Sequence, residues 1–226
     1  MNVLVVAAHP DDEILGCGGT MGRLVREGHS VYISILGEGI TSRHAQRTAA
    51  DPVALKALRE SSQRAAKLLA VKDLVLHGLP DNRFDTLPLL DIVKAIEELI
   101  EHWQPEAVYT HHGGDLNVDH QLTSRAVLTA TRPLEGRPTK DLYMFEIASS
   151  TEWGFAQLSP VFKPTVFVDI SATLELKLEA MRQYESEMRN FPNPRSIEAL
   201  TAIARRWGGV AGCAAAEAFE LVRSLR

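Results

Sequence analysis

The sequence predicts an α/β fold: a mostly parallel β-sheet with helices on both faces and an active site at the strand carboxyl ends. Three observations predict it. Strand-like and helix-like segments alternate along the 226 residues, the pattern of parallel strands joined by crossover helices. The apolar run Val3-Leu4-Val5-Val6-Ala7-Ala8 has the length and continuity of a strand buried on both faces. Two polar clusters, His9-Pro10-Asp11-Asp12-Glu13 and His111-His112-Gly113-Gly114-Asp115-Leu116-Asn117-Val118-Asp119-His120, each follow an apolar strand, and open α/β sheets bind ligands at that edge.

Each element has its own signal. Residues 2–8 form the first strand. Pro10 and the acids after it open a helix over 12–27, which Gly28 stops. Gly16, Gly18 and Gly19 weaken that helix and point to close packing on the sheet or on a ligand. Residues 30–36 alternate weakly as a second strand, and 37–50 form a polar loop over the site. A helix over 53–70 presents Leu55, Leu58, Ala65, Leu68 and Leu69 on one face. A short strand at 74–76 and a turn at 78–83 precede a periodic helix over 87–103, halted before Pro105. Strand 107–110 leads into the second cluster and a helix over 119–131. Strands at 143–147 and 165–168 follow. Then come a helix over 171–189 capped by Ser171 and another over 197–207. No repeat or linker divides the chain, so one domain is expected over 1–226, large enough to need no staples.

Composition narrows the function. Hydrophobic residues at 45% and charged residues at 23% are ordinary for a globular protein. A net charge of −5, with no basic block longer than a pair such as Arg205-Arg206, argues against nucleic acid and anionic membrane surfaces as partners. No signal-peptide pattern is present, and no stretch approaches the ~20 apolar residues of a membrane span. Cys17 and Cys213 have no metal-binding spacing. Reduced thiols and a cytoplasmic location are the expectation, with Cys17 a small packing residue. A homo-oligomer is compatible with the sequence, but no residue specifies one.

In a parallel sheet the two polar clusters meet on one edge. The first offers His9 and Asp12, whose i, i+3 spacing across a strand-to-helix turn lets both face one point. The second offers His120, with His111 and His112 as competitors. Two histidines, one carboxylate and a water make a catalytic zinc set with an open position. Zinc lowers the pKa of such a water from ~15.7 towards ~7, and Asp11 is adjacent and free to take its proton. A plainer reading makes Asp11 and Asp12 complements of the helix dipole, worth ~0.3–1 kcal/mol, and His9 a hydrogen-bonded strand end. The second cluster weighs against it. Phosphate binding is disfavoured because Gly16-Cys17-Gly18-Gly19 lies inside the helix. No Gly-x-Ser-x-Gly elbow of a serine hydrolase is present.

Ala8-His9-Pro10-Asp11-Asp12-Glu13 and Asn117-Val118-Asp119-His120 together resemble the LmbE-like or PIG-L-type (GlcNAc-PI) de-N-acetylase family. Gly78-Leu79-Pro80-Asp81-Asn82-Arg83 and Ala216-Glu217-Ala218-Phe219-Glu220 extend the resemblance over nearly the whole chain. The resemblance implies a Rossmann-like fold and zinc-dependent hydrolysis of an N-acetyl group, usually from a glucosamine-type sugar. Carried over by position, His9, Asp12 and His120 bind one Zn2+ per chain and Asp11 is the general base. Many members have a second histidine where this chain has Asn117. Asn can hydrogen-bond an oxyanion but cannot supply a proton, so Asp11 is expected to make both proton transfers, with His111 or His112 the alternative donor. Asp119 is expected to orient a histidine.

The expected reaction is attack of water on an acetamide carbonyl, giving acetate and a free amino sugar. Arg43, Asp81, Arg83 and Glu146 lie after strands, where they would contact sugar hydroxyls. No residue selects the group attached to the sugar. The same site acting on a non-sugar or antibiotic-type N-acyl amine is the alternative, and longer apolar side chains in the pocket would favour it.

Overall fold

In the computed structural model, which describes residues 1–226, the run from Val3 to Ala8 is buried on both sides, as its continuity requires. Strand β1 (Asn2–Ala7) lies inside the sheet. Val3, Val5 and Ala7 face a core shared with α1 (Asp12–Arg26), α2 (Pro52–Leu68) and α5 (Leu174–Arg182). Leu4, Val6 and Ala8 face a second core shared with α3 (Leu89–Trp103) and α4 (Val118–Ala130). The helices on the two faces therefore follow from the period of two along the strand.

The other strands are β2 (Ser30–Gly37), β3 (Asp73–Leu79), β4 (Ala107–His111), β5 (Asp141–Phe145), β6 (Val166–Asp169) and β7 (Ala216–Arg223). Their order across the sheet is β3-β2-β1-β4-β5-β7-β6. The first five in that order are parallel, while β7 runs antiparallel to both β5 and β6. Successive strands β1, β2 and β3 build outwards one way, and β4 and β5 build the other way. The crevice between the carboxyl ends of β1 and β4 is thus a topological switch point, where open α/β sheets bind ligands. The fold is the expected one.

The glycines of α1 serve packing. A methyl group on Gly16 would collide with the Phe145 ring, and one on Gly19 would come within 2.8 Å of Ile170. The helix kinks at Cys17 (φ −148°). Backbone groups freed there need partners. Glu217 accepts from Gly19 N–H (3.0 Å) and Thr20 N–H (2.7 Å), while Lys177 Nζ donates to Leu15 O (2.8 Å) and to Glu217 (2.6 Å). Cys17 is buried with its thiol on Glu13 O, away from the site.

Two expectations need correction. The helix expected over 171–189 spans only Leu174–Arg182. Ser171 does not cap it, because its N–H and hydroxyl both donate to Asp169. Beyond Arg182 the chain turns so that Tyr184, fully buried, delivers its hydroxyl to Glu13. The strand at 216–223 has no strong signal in the sequence, since its alanines have low strand propensity. Pairing with β5 and β6 imposes it. The last helix, α6 (Ile197–Ala211), runs on to Gly212, whose φ of +78° ends it.

Candidate active site

His9 follows β1 and Asp12 opens α1. Asp12 Oδ2 accepts from His9 N–H at 2.8 Å, which locks the turn between them. His120 comes from the first turn of α4 after β4. Three ligand-capable atoms converge in the crevice. His9 Nδ1 lies 3.3 Å from Asp12 Oδ2 and 3.3 Å from His120 Nε2, and His120 Nε2 lies 3.2 Å from Asp12 Oδ2. A tetrahedral zinc with bonds near 2.0–2.1 Å has its ligand atoms about 3.3 Å apart. The spacing and the two-nitrogen, one-oxygen donor set therefore fit such an ion.

The far side of each imidazole meets a carboxylate. His9 Nε2 lies 3.0 Å from Asp119 Oδ2. Asp119 is itself fixed by the N–H groups of Asn82 (2.7 Å) and Phe84 (2.9 Å). His120 Nδ1 lies 3.0 Å from Asp115 Oδ1, off the direction of a good hydrogen bond. Asp115 is held by the Ser150 and Thr151 hydroxyls and by Asn117 N–H. Such outer carboxylates fix ring orientation and increase ligand basicity.

The field of these carboxylates calls for positive charge. Burial is the largest influence on His9 and disfavours its charged form, but Asp119 and Asp12 outweigh it and raise the imidazole to about 10. Burial likewise opposes charge on His120, and Asp12 and Asp115 raise it to about 9. Burial would raise Asp12, yet the surrounding imidazoles, His120 foremost, hold it well below the usual carboxylate range. A dication satisfies this field in place of protons on the rings.

Asp11 sits beside the triad, 1% exposed, with φ at +99°. Burial pushes its carboxyl well above the usual range, against the pull of the Arg195 guanidinium and with further push from Asp12, Glu187 and Glu13. The crevice opens into a cleft of about 150 Å3 whose walls include Asp11, Ser42, Arg43, Asp81, Asn117 and Arg195. Apart from Pro10, its apolar side chains are Ile40 and Leu58.

The structure distributes the remaining expected site residues unequally. Asp81 lines the cleft, accepts from Ser42 N–H (3.0 Å) and Ser42 Oγ (2.6 Å), and lies 3.3 Å from His9 Nε2. Arg43 also lines it and donates to Glu187 at 2.5 Å. Asn117 borders it with its carboxamide already engaged. Its Oδ1 caps α4 by accepting from Asp119 N–H (2.8 Å), and its Nδ2 donates to Asn82 Oδ1 (2.9 Å), leaving one amide N–H uncommitted. His111 is buried beneath, stacked on His120 at 4.1 Å, with its Nε2 accepting Ala8 N–H at 2.8 Å. Burial holds it neutral.

Three placements depart from the expectation. Arg83 is exposed and makes no side-chain hydrogen bond, because the turn at Asn82 (φ +52°) puts Asp81 inside and Arg83 outside. Glu146 accepts from Trp207 Nε1 at 2.6 Å and lines a separate pocket next to α6. His112 lines that pocket too, with Nδ1 on Glu220 (2.6 Å) and Nε2 on Pro160 O (2.8 Å). It cannot replace the histidine absent at position 117. Conversely, Asp115, Glu187 and Arg195 belong to the site and escaped the sequence reading. Asp115 stands inside the second cluster and could have been found there. Arg195 and Glu187 carry no local signal.

The GlcNAc-PI de-N-acetylase family pattern matches residues 4–131. The chain is 28% identical to the uncharacterized deacetylase YaiS of Escherichia coli, over 81% of this chain and 90% of that protein. It is 29% identical to the diacetylchitobiose deacetylase of Thermococcus kodakarensis, over 82% and 69% respectively. The solved N,N'-diacetylchitobiose deacetylase of Pyrococcus horikoshii shares the fold, with a TM-score of 0.77 at 22% identity over 98% of this chain and 84% of that one. With more than half its length matched and both polar motifs inside the match, the chain belongs to the GlcNAc-PI de-N-acetylase family.

Proposed function

We propose that this protein is a zinc-dependent hydrolase that removes the N-acetyl group from an N-acetylglucosamine-type sugar or glycoconjugate, releasing acetate and a free amine. The observation that carries the proposal is the convergence of His9 Nδ1, Asp12 Oδ2 and His120 Nε2 within 3.3 Å of one another, beside Asp11, in a polar cleft. Relatives named as deacetylases of diacetylchitobiose and of N-acetylglucosaminyl malate support the sugar class. The same cleft, at about 150 Å3 with few apolar side chains, favours an acetyl group over a long acyl chain. One catalytic domain over 1–226 acting in the cytoplasm is part of the proposal, and free Cys17 and Cys213 support that location; no helix is long and apolar enough to cross a membrane.

His9, Asp12 and His120 would hold one zinc ion, which when bound polarises an acyl oxygen and acidifies water. The chain supplies the rest. Asp119 holds the His9 imidazole, and the Asp115 carboxylate, 3.0 Å from His120 Nδ1, favours a proton on that nitrogen, so that His9 Nδ1 and His120 Nε2 present lone pairs to the same point. Asp11 takes the proton of the attacking water and returns it to the departing amine, a task suited to a buried carboxylate that is not needed as a ligand. The free amide N–H of Asn117 is available to the oxyanion. Arg43, Asp81 and Ser42 line the cleft and would contact the sugar hydroxyls.

The test is primary-amine release by the zinc-loaded protein across a panel of N-acetylglucosaminides, run beside Asp11→Asn. The expected result is release by the parent protein and a fall of ~10²–10⁴-fold in the variant, with zinc still bound. No release from any panel member by the zinc-loaded parent would sink the sugar reading.

A further inference from the structure

The loop Phe191-Pro192-Asn193-Pro194 ends in Arg195, and Arg195 reaches Asp11. Its placement is rigid. Asn193 Oδ1 accepts the Arg195 backbone N–H at 2.9 Å, and the next residue, Ser196, is buried and caps α6 by accepting from Ala199 N–H at 3.1 Å. The guanidinium then spans three partners. Nε donates to Ser149 Oγ at 2.7 Å, and Nη1 donates to Asp11 Oδ2 at 2.9 Å and to Glu187 Oε2 at 3.4 Å.

Asp11 needs such support. Its φ of +99° is a conformation that a side chain other than glycine's disfavours. Its backbone N–H donates to Glu13 Oε2 at 3.1 Å, and Glu13 Oε1 is fixed by the Tyr184 hydroxyl at 2.5 Å. So Glu13 and Tyr184 hold the backbone of Asp11, and Arg195 holds its side chain. Only Oδ2 of Asp11 has a protein partner. Oδ1 is the oxygen left for a reactant in the cleft.

We propose that Arg195 is a positioning residue for the reaction: by gripping Asp11 Oδ2 it aims Oδ1 at the reacting water. The inference rests on the proposed role of Asp11 as base. It assigns a purpose to the ordered loop before α6, which brings one planar cation from 184 residues away to the first motif. Arginine is needed because its fork serves Ser149 and Asp11 together, which a lysine ammonium cannot do in the same plane.

The test uses the zinc-loaded protein and four variants: Arg195→Met, Arg195→Lys, Asp11→Asn and the double variant Arg195→Met/Asp11→Asn. A drop in kcat on the order of 10²-fold is expected for Arg195→Met, the cost of a base misplaced by about 1 Å. KM and bound zinc stay near the parent values. Guanidinium ion added to Arg195→Met restores part of kcat, Arg195→Lys falls between parent and Arg195→Met, and the double variant is no slower than Asp11→Asn. Thermal midpoints, read without substrate, add an independent measure. Arg195→Met lowers the midpoint by several degrees in the parent, where it strands a buried carboxylate, and far less in the Asp11→Asn background. A rise in KM with unchanged kcat would make Arg195 a substrate contact and overturn the proposal, as would additive midpoint changes. If no panel sugar is hydrolysed at all, the proposed function falls; non-additive midpoints would still establish the grip of Arg195 on Asp11, and additive ones would overturn it.

Discussion

The cleft at the ends of β1 and β4 and the pocket next to α6 are built from similar side chains, yet only one of them converges. In the cleft His9, Asp12 and His120 aim their free atoms at one another, and Asp119 and Asp115 stand behind the rings. In the pocket each comparable group is already spent. His112 uses both ring nitrogens, Glu146 holds Trp207 Nε1, and the Arg206 guanidinium lies 4.1 Å above the Trp207 ring. The difference lies in what completes each group. Around the pocket the partners are fixed protein atoms, so each group is already satisfied within the protein. In the cleft three ligand atoms remain turned on a single point, the arrangement that a bound cation completes. Residue type alone does not make a site; unspent valence at a shared point does.

Four measurements break or sharpen this contrast. The largest effect is expected for His120→Ala. It removes one of three ligand atoms, so zinc per chain falls to near zero and deacetylation to background, read by metal analysis and amine release. Next come Asp115→Asn and Asp119→Asn, which leave the ligand set intact but loosen the rings. Each should cost about 10–100-fold in zinc affinity or rate, measured by competition with a chromophoric chelator.

On the other side of the comparison, Glu146→Leu should leave kcat/KM unchanged and lower stability by about 1–3 kcal/mol, because Trp207 Nε1–H loses its acceptor. Denaturant unfolding followed by Trp207 fluorescence reads it. A large loss of rate would bring the pocket back into the reaction.

The smallest effect is a pH dependence of stability. Burial, the largest influence on His112, disfavours its charge, but the Glu220 hydrogen bond and charge reverse this and raise the imidazole above its ordinary 6.5. Burial would raise Glu220, and His112 and Lys163 N–H instead hold it below its ordinary 4.5. The histidine's contribution is complete below 6.5 and is lost as pH rises through its raised folded value. The glutamate's contribution is complete above 4.5 and is lost as pH falls through its lowered folded value. Stability from the pair is therefore fullest between those limits. In His112→Gln the thermal midpoint should lose part of its decline on the alkaline side.

The sequence by itself determined the parallel part of the sheet and the motif-borne residues of the cleft. A strand buried on both faces must be apolar throughout, as Val3 to Ala8 is, and charged residues directly after it must lie at its carboxyl end. His9, Asp11, Asp12 and His120 were legible for that reason: a strand-to-helix turn fixes their place locally. The expected roles of Arg83, Glu146 and His112 had the same basis, position after a strand, but position does not fix direction. The turn at Asn82 sends Arg83 outwards, and Trp207 and Glu220 draw Glu146 and His112 to the other pocket. Tertiary structure alone decided Arg195, Glu187 and the strand at 216–223. Arg195 lies 184 residues from the carboxylate it grips, and that contact exists only once α6 and its preceding loop have packed. Local spacing determines what one turn of chain can point at, whereas partners supplied by distant segments are determined by packing.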